Sequence, residues 1–279
     1  MAVIVSTQDD VMLVDTSYFI FYRYYAVYNW YKMQKRDDFD GHMVLANHPE
    51  FLTKFDKLFE KNFVGLTKKY RVPSSNVVFV KDCGRDSVWR MPMFASYKKC
   101  RDDRLSTFDP AIFRHVYDNI LPSLAKKYGI QMYEYACAEA DDIISVFCRK
   151  MQEMHAATDR KIVIITNDND YLQLLNDNTH IYNLKDLDLR ERLKGRTPDG
   201  YLRAKILMGD KSDNIPAVFP KCGEKTAIGL ADNADLLAVM LAKSESYNTR
   251  YQLNTSLIDM ACIPDDIKDG ILKDLAFST

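Results

Sequence analysis

The sequence predicts an α/β fold: a mainly parallel central sheet flanked by helices, followed after about residue 195 by a small helical module. Three observations carry this. Apolar runs of strand length alternate with helix-period segments as far as about residue 180, the pattern of parallel strands joined by crossover helices. Most of these runs end on a carboxylate. Beyond residue 195 the strand signals stop, and helical stretches are broken by Gly209, Pro216, Pro220, Gly223 and Pro264.

Taken in order, Val11-Met12-Leu13-Val14 marks a strand at 11–15, with a helix from 17 and another at 50–70. Val77-Val78-Phe79-Val80 lies in a strand at 76–82, followed by helical segments at 89–100 and 110–128. Met132-Tyr133-Glu134-Tyr135 gives a strand at 130–135, and Ala138-Glu139-Ala140-Asp141-Asp142 opens a helix at 139–154. Ile162-Val163-Ile164-Ile165, the most apolar run, gives a strand at 161–166, then a short helix at 169–175 and a strand at 179–183. Thr197-Pro198-Asp199 reads as a helix start with Pro in the first turn.

The informative residues are the acids behind these runs. Asp15, Asp82, Glu139, Asp141, Asp142, Asp168 and Asp170 follow strands, while Asp210 and Asp213 follow the helical stretch Tyr201–Met208. In a parallel sheet, sites form outside the carboxyl ends of the strands. Acids packed there repel one another and raise each other's pKa unless cations bind. An all-oxygen ligand set of this size favours Mg²⁺ or Mn²⁺.

Composition agrees once the charge is divided. The net charge of −1 argues at first against a nucleic-acid partner. Nine of the 39 acids belong to the clusters, leaving 30 against 38 lysines and arginines, so the remaining surface carries about +8. A basic surface around an acidic hole suits a phosphodiester. At 279 residues and 47% hydrophobic, the chain can build one large core or two unequal domains. Six cysteines without C-x-x-C pairs predict reduced thiols in an intracellular, soluble protein. Neither a signal peptide nor a membrane span is expected.

Each motif also has a plainer account. Glu139 and Asp142 could simply complement a helix dipole. Asp168-Asn169-Asp170 could be an Asx turn. Met208-Gly209-Asp210-Lys211-Ser212-Asp213-Asn214-Ile215-Pro216 could be a helix–turn–helix connector, which explains its glycine but not its acids. The helix start at Gly223-Glu224-Lys225-Thr226 offers backbone N–H groups to a phosphate. Residues 85–104 are basic, with Arg85, Arg90, Lys98, Lys99, Arg101 and Arg104, as a solvated helix face would also be. Residues 18–31 hold nine aromatics, too many for one buried helix face, so several are expected to meet bases.

Together these residues resemble the structure-specific 5′ nuclease family, which includes flap endonucleases and the 5′–3′ exonuclease domains of bacterial DNA polymerases. The matching motifs are Leu13-Val14-Asp15-Thr16-Ser17 with Arg23, Phe79 to Asp82, Tyr97-Lys98-Lys99-Cys100-Arg101 and Glu139-Ala140-Asp141-Asp142. They continue with Asp168-Asn169-Asp170-Tyr171-Leu172-Gln173-Leu174 and Gly209 to Pro216. They cover roughly residues 11–230 in the family's order, which makes the match specific where single motifs are not. The tail, from Tyr247-Asn248-Thr249-Arg250-Tyr251 to Ile267, looks like that of the phage replicative nucleases called RNase H. The family's G-x-G hairpin is reduced to Lys221-Cys222-Gly223, which puts a monovalent-cation site in doubt and offers Lys221 as a phosphate contact.

The resemblance implies a PIN-like nuclease core at 1–195, including a basic arch-like segment at 85–104, and a helix-hairpin-helix (helix-3-turn-helix) module with C-terminal helices at 196–279. It implies two Mg²⁺ or Mn²⁺ ions: Asp82, Glu139, Asp141 and Asp168, with Asp15, around the first; Asp170, Asp210 and Asp213 around the second; Asp142 between. Lys98 would reach the scissile phosphate and Arg101 would clamp a phosphate with its planar fork. Arg23, Arg90, Tyr97, Lys211, Lys221, Gly223, Lys225 and Thr226 would contact DNA. The implied partners are 5′-flap, nicked or 5′-ended duplex DNA, an RNA–DNA hybrid and replication proteins. The expected form is a monomer without a sliding-clamp peptide. Two rivals are a small-molecule phosphatase, disfavoured because Asp15-Thr16-Ser17 holds one carboxylate, and a non-catalytic branch-binding protein, disfavoured because none of the nine acids is missing.

Overall fold

The computed structural model describes residues 3–34, 45–99, 108–156 and 158–278. Its main sheet has five parallel strands: β2 (Val11–Asp15), β3 (Val77–Val80), β4 (Gln131–Tyr133), β5 (Ile162–Ile165) and β6 (Thr179–Tyr182), in spatial order β4-β3-β2-β5-β6. After β2 the chain builds outward on one side through β3 and β4, then crosses back to place β5 and β6 on the other. The carboxyl ends of β3, β2 and β5 are therefore neighbours, and the crevice where the winding reverses lies between them.

The strands are buried on both faces, which is why they read as unbroken apolar runs. Side chains alternate: Val11, Leu13, Val78, Val80, Ile162 and Ile164 join one core, while Met12, Val14, Val77, Phe79, Val163 and Ile165 join the other. The first core is closed by α5 (Ala140–His155). The second is closed by α1 (Thr16–Gln34) and α2 (Pro49–Tyr70). In α2, Phe51, Phe55, Phe59 and Phe63 recur every fourth residue, share one helix face and are all buried. The nine aromatics of α1 answer to the same core. Phe19, Tyr24 and Tyr31 are buried, and the other six pack against it, so most of the surplus expected to meet bases is absorbed by protein. Tyr18 and Phe21 alone also line the acidic cleft.

The helix expected at 110–128 is interrupted. It runs as α3 (Ala111–His115), a wide turn at Val116–Ile120 and α4 (Leu121–Tyr128). Pro122 has no N–H to continue the ladder, and Leu121 N–H bonds instead five residues back to Val116 O.

After residue 195 come α6 (Pro198–Met208), α7 (Glu224–Ala231), α8 (Ala234–Leu241), α9 (Glu245–Ile258) and α10 (Asp265–Lys273). The expectation that strands end there is corrected by β7 (Leu275–Ser278), which pairs in parallel with β1 (Val3–Ser6), an element the sequence reading did not assign. Ile267 and Ile271 of α10 enter the sheet core. Among the described residues no helix is long and apolar enough to cross a membrane.

Candidate active site

A cleft of about 420 Å³ opens at the carboxyl ends of β2, β3 and β5, lined by Asp15, Asp82, Glu139, Asp141 and Asp168. Each acid is held from behind. Asp15 accepts from Tyr18 N–H at 3.0 Å and from the Thr166 hydroxyl at 2.9 Å. Asp82 accepts from the Ser17 hydroxyl at 2.5 Å and from Ala140 N–H at 2.8 Å. Asp168 caps its own turn by accepting from Asp170 N–H at 3.0 Å. Glu139 caps α5 in a reciprocal box with Asp142.

Among the described residues the cleft sets five carboxylates against one lining cation, Lys98. Burial, with Asp82 beside it, raises the Asp15 carboxyl to about 7. Burial and Asp141 raise Glu139. Burial also raises Asp168, against the pull of Lys205. Ligand atoms of Glu139, Asp141 and Asp142 lie within 4.8 Å of one another. An all-oxygen set this short of positive charge suits a hard divalent cation. These raised values fix a sign. In the folded chain these acids keep protons that the unfolded chain has released, so the stability that Asp15 contributes without metal is fully present only below the ordinary carboxylate range and is lost as pH rises through about 7. The metal-free thermal midpoint should thus be higher at pH 6 than at pH 8, and Mg²⁺ should raise it more at pH 8. Asp15→Asn should shrink both differences. A midpoint in chelator that climbs from pH 6 to pH 8 contradicts the assignment.

Lys98 lines the acidic cleft. Its ammonium meets Glu139 at 2.5 Å and Asp213 at 3.7 Å. The backbone around it differs from the expected helix at 89–100. The described part is a series of turns, with Lys98 at φ 55°, its N–H donating to Asp213 O at 3.0 Å and its carbonyl accepting from Arg85 at 2.9 Å. Arg101 lies outside the described residues.

Two residues expected to contact DNA are buried. Arg90 is 2% exposed and spent internally. It pairs with Asp142 at 2.7 Å and Glu139 at 3.3 Å and donates to Leu257 O at 3.0 Å. Tyr97 is also buried, its hydroxyl donating to Glu139 at 2.8 Å. Both side chains are turned inward, away from solvent. Asp142 is likewise enclosed. Arg90, the Trp89 indole N–H at 2.9 Å and Glu139 N–H at 3.1 Å use its oxygens, so in this arrangement it braces Glu139 behind the cleft.

Asp170 and Asp210 form a second group beside the first, joined by an ammonium that the sequence reading missed. Lys205 of α6, 7% exposed, pairs with Asp170 and sits 3.1 Å from Asp210. Burial pushes Asp210 up, but Lys205 and Ser212 outweigh it and hold the carboxyl below its ordinary value. The one legible sign was a lysine immediately before the apolar run Ile206-Leu207-Met208. The loop carrying Asp168 has a second unforeseen support: Arg192 donates to Asn167 O at 2.9 Å and to the Asn169 side chain at 2.6 Å.

The turn holding Asp210 and Asp213 needs its glycine. Gly209 has φ 69°, and a Cβ there would lie 2.4 Å from Ile215 O and 2.6 Å from Pro216. Beyond it, Lys211, Lys221, Gly223, Lys225 and Thr226 are all exposed. Gly223 begins α7 without a side-chain cap, after Lys221 at φ 58°.

A family model described as "5′-3′ exonuclease, N-terminal resolvase-like domain" matches residues 10–197. The chain belongs to this 5′–3′ exonuclease family. The chain is 30% identical over 233 residues to DNA polymerase I of Lactococcus lactis subsp. lactis (strain IL1403), covering 80% of the chain and 24% of the polymerase. It thus spans about a quarter of that relative's length. The 5′-3′ exonuclease of Buchnera aphidicola subsp. Acyrthosiphon pisum is 27% identical over 255 residues, covering 88% of this chain and 79% of the exonuclease. Among solved structures, the bacteriophage T5 flap endonuclease, in a pseudo-enzyme-product complex with DNA and metal ions, superposes with TM-score 0.65 at 18% identity, covering 95% of this chain and 97% of that one. The T5 5′-exonuclease with zinc bound gives TM-score 0.64 at 19% identity and the same coverages. At these identities the structural likeness establishes a shared fold. The exonuclease-family assignment and the buried acidic cleft together point to divalent-metal use.

Proposed function

We propose that the chain is a metal-dependent phosphodiesterase, acting as a 5′–3′ exonuclease and structure-specific (flap) endonuclease on 5′-ended, nicked or branched duplex DNA and on RNA–DNA hybrids during replication or repair. The observation that carries this is the convergence of five carboxylates with Lys98 at the carboxyl ends of three adjacent parallel strands.

Two Mg²⁺ or Mn²⁺ ions held by these acids would supply an activated water and charge neutralisation at the phosphate. Asp82, Glu139, Asp141 and Asp168 would hold the first, with Asp15 alongside; Asp170, Asp210 and Asp213 would hold the second. Lys98, fixed by its backbone bond to Asp213, presents a compact charge to the scissile phosphate. Lys205 guards the second acidic group. Arg101 is proposed to clamp a further phosphate. Residues 196–279 would form the duplex grip of a helix-hairpin-helix module, with Lys211, Lys221, Lys225, Thr226 and the backbone at Gly223 set against phosphates.

The direct test uses labelled flap, nicked and hybrid substrates with chelator-treated protein. Cleavage should be absent in EDTA and restored by Mg²⁺ or Mn²⁺. Full activity in metal-free protein would refute the reading, and tight branch-selective binding without cleavage in any metal would replace it with a binding role.

A further inference from the structure

A separate cavity, about 310 Å³, lies between α5, the turn at Met260–Cys262 and α10, lined by Ser145, Arg149, Lys150, Met260, Lys268 and Leu272 among others. It shares no lining residue with the acidic cleft. Ser145, Val146, Arg149, Lys150 and Glu153 reach it from one face of α5, at one-turn spacing. Val146 and Met260 are buried and, with Leu272, give the wall its apolar part.

Charge is the first sign of what this space takes. Three lining residues are cationic and one, Glu153, is anionic, so the lining carries two net positive charges. Lys150 pairs with Glu153 at 3.0 Å, and Lys268 pairs at 3.1 Å with Asp265, whose side chain is 93% exposed. Exposed pairs of this kind are weak and release their ammonium groups to a stronger anion at little cost. Arg149 has no ion-pair partner among the described residues. Its planar fork suits a phosphate.

Ser145 is a second, independent sign. It is 0% exposed in the interior of α5, and its hydroxyl has no hydrogen-bond partner. The usual escape, a bond to the carbonyl four residues back, is not made. An unpartnered buried hydroxyl is costly, and Ala is the better helix former. On the wall of a cavity, such a serine offers a donor and an acceptor to something the chain itself does not supply.

We propose that this cavity binds a nucleoside monophosphate, with the phosphate against Arg149, Lys150 and Lys268 and the base along Val146, Met260 and Leu272, within reach of the Ser145 hydroxyl. An apolar wall beside excess positive charge calls for a ring system that carries a phosphate, and the volume is that of a small-ligand site. The choice of a nucleotide over other aromatic phosphates rests on the nuclease reading, since a 5′–3′ exonuclease releases molecules of this class.

Isothermal titration calorimetry in EDTA tests this with deoxyadenosine monophosphate, deoxyadenosine and inorganic phosphate. Without metal the acidic cleft repels phosphate and does not compete. The monophosphate should bind at one site per chain, and the nucleoside and the phosphate each about tenfold more weakly or worse. Arg149→Met and Ala261→Trp, both at exposed positions on the cavity, should each weaken the monophosphate about tenfold. Ser145→Ala should lower affinity yet raise the thermal midpoint of the free chain, because it removes a hydroxyl that only the ligand satisfies. Lys98→Met, which alters the cleft, should leave the affinity unchanged. Circular dichroism confirms that the variants fold. No binding by wild-type protein, unchanged affinity in Arg149→Met and Ala261→Trp, or loss in Lys98→Met overturns the site. Monophosphate binding at this cavity by a chain that cleaves no flap in Mg²⁺ would instead overturn the nuclease reading.

Discussion

Replacing Asp168 by Asn should reduce cleavage by more than about a hundredfold while DNA binding is kept or tightened. Asp168 lines the cleft at the end of β5, and burial raises its carboxyl. The substitution removes a ligand oxygen's charge but leaves Oδ1 to accept from Asp170 N–H, so the turn survives. It also removes negative charge facing a phosphate, which is why affinity should not fall. Cleavage is read on a labelled flap and affinity by anisotropy in chelator. Parallel collapse of both would make Asp168 a structural residue.

The second large effect concerns stability. Arg90→Ala should cost about 3–5 kcal/mol in denaturant unfolding, because it leaves Asp142 buried and uncompensated. The loss should propagate to the cleft, since Arg90 also braces Glu139 and ties α5 to the carbonyl of Leu257. The double change Arg90→Met with Asp142→Leu should recover much of that stability, as buried pairs replaced by apolar side chains often do. A single-variant loss under about 1 kcal/mol would show that the pair is not the brace its geometry indicates.

The legible part of this molecule is the part whose signals are local. Strands buried on two faces must be continuous apolar runs, and parallel strands joined by helices must deliver their carboxyl ends to one edge. Asp15, Asp82 and Asp168 could therefore be placed from sequence. The strands β1 and β7 could not, because Val3–Ser6 and Leu275–Ser278 gain their partners across nearly the whole chain. The basic segment announces its charge, yet composition does not say which way a side chain faces. Arg90 and Tyr97 turn inward, while Lys98 enters the cleft through a positive φ that no helix pattern announces. Lys205 was hidden for a related reason: on a helix with several buried positions, one lysine looks like a solvated residue until Asp170 and Asp210 are brought to it by the fold.

The proposed function requires the chain to position a phosphodiester of a 5′ strand over the acidic cleft at a fixed distance from a duplex grip in residues 196–279. A 5′ flap labelled at each end, incubated with Mg²⁺ and with EDTA, tests this most directly. Cuts within about one nucleotide of the junction, in Mg²⁺ alone, are the predicted result. Products starting from the free 3′ end, cuts scattered along the single strand, or equal cleavage in EDTA would contradict it.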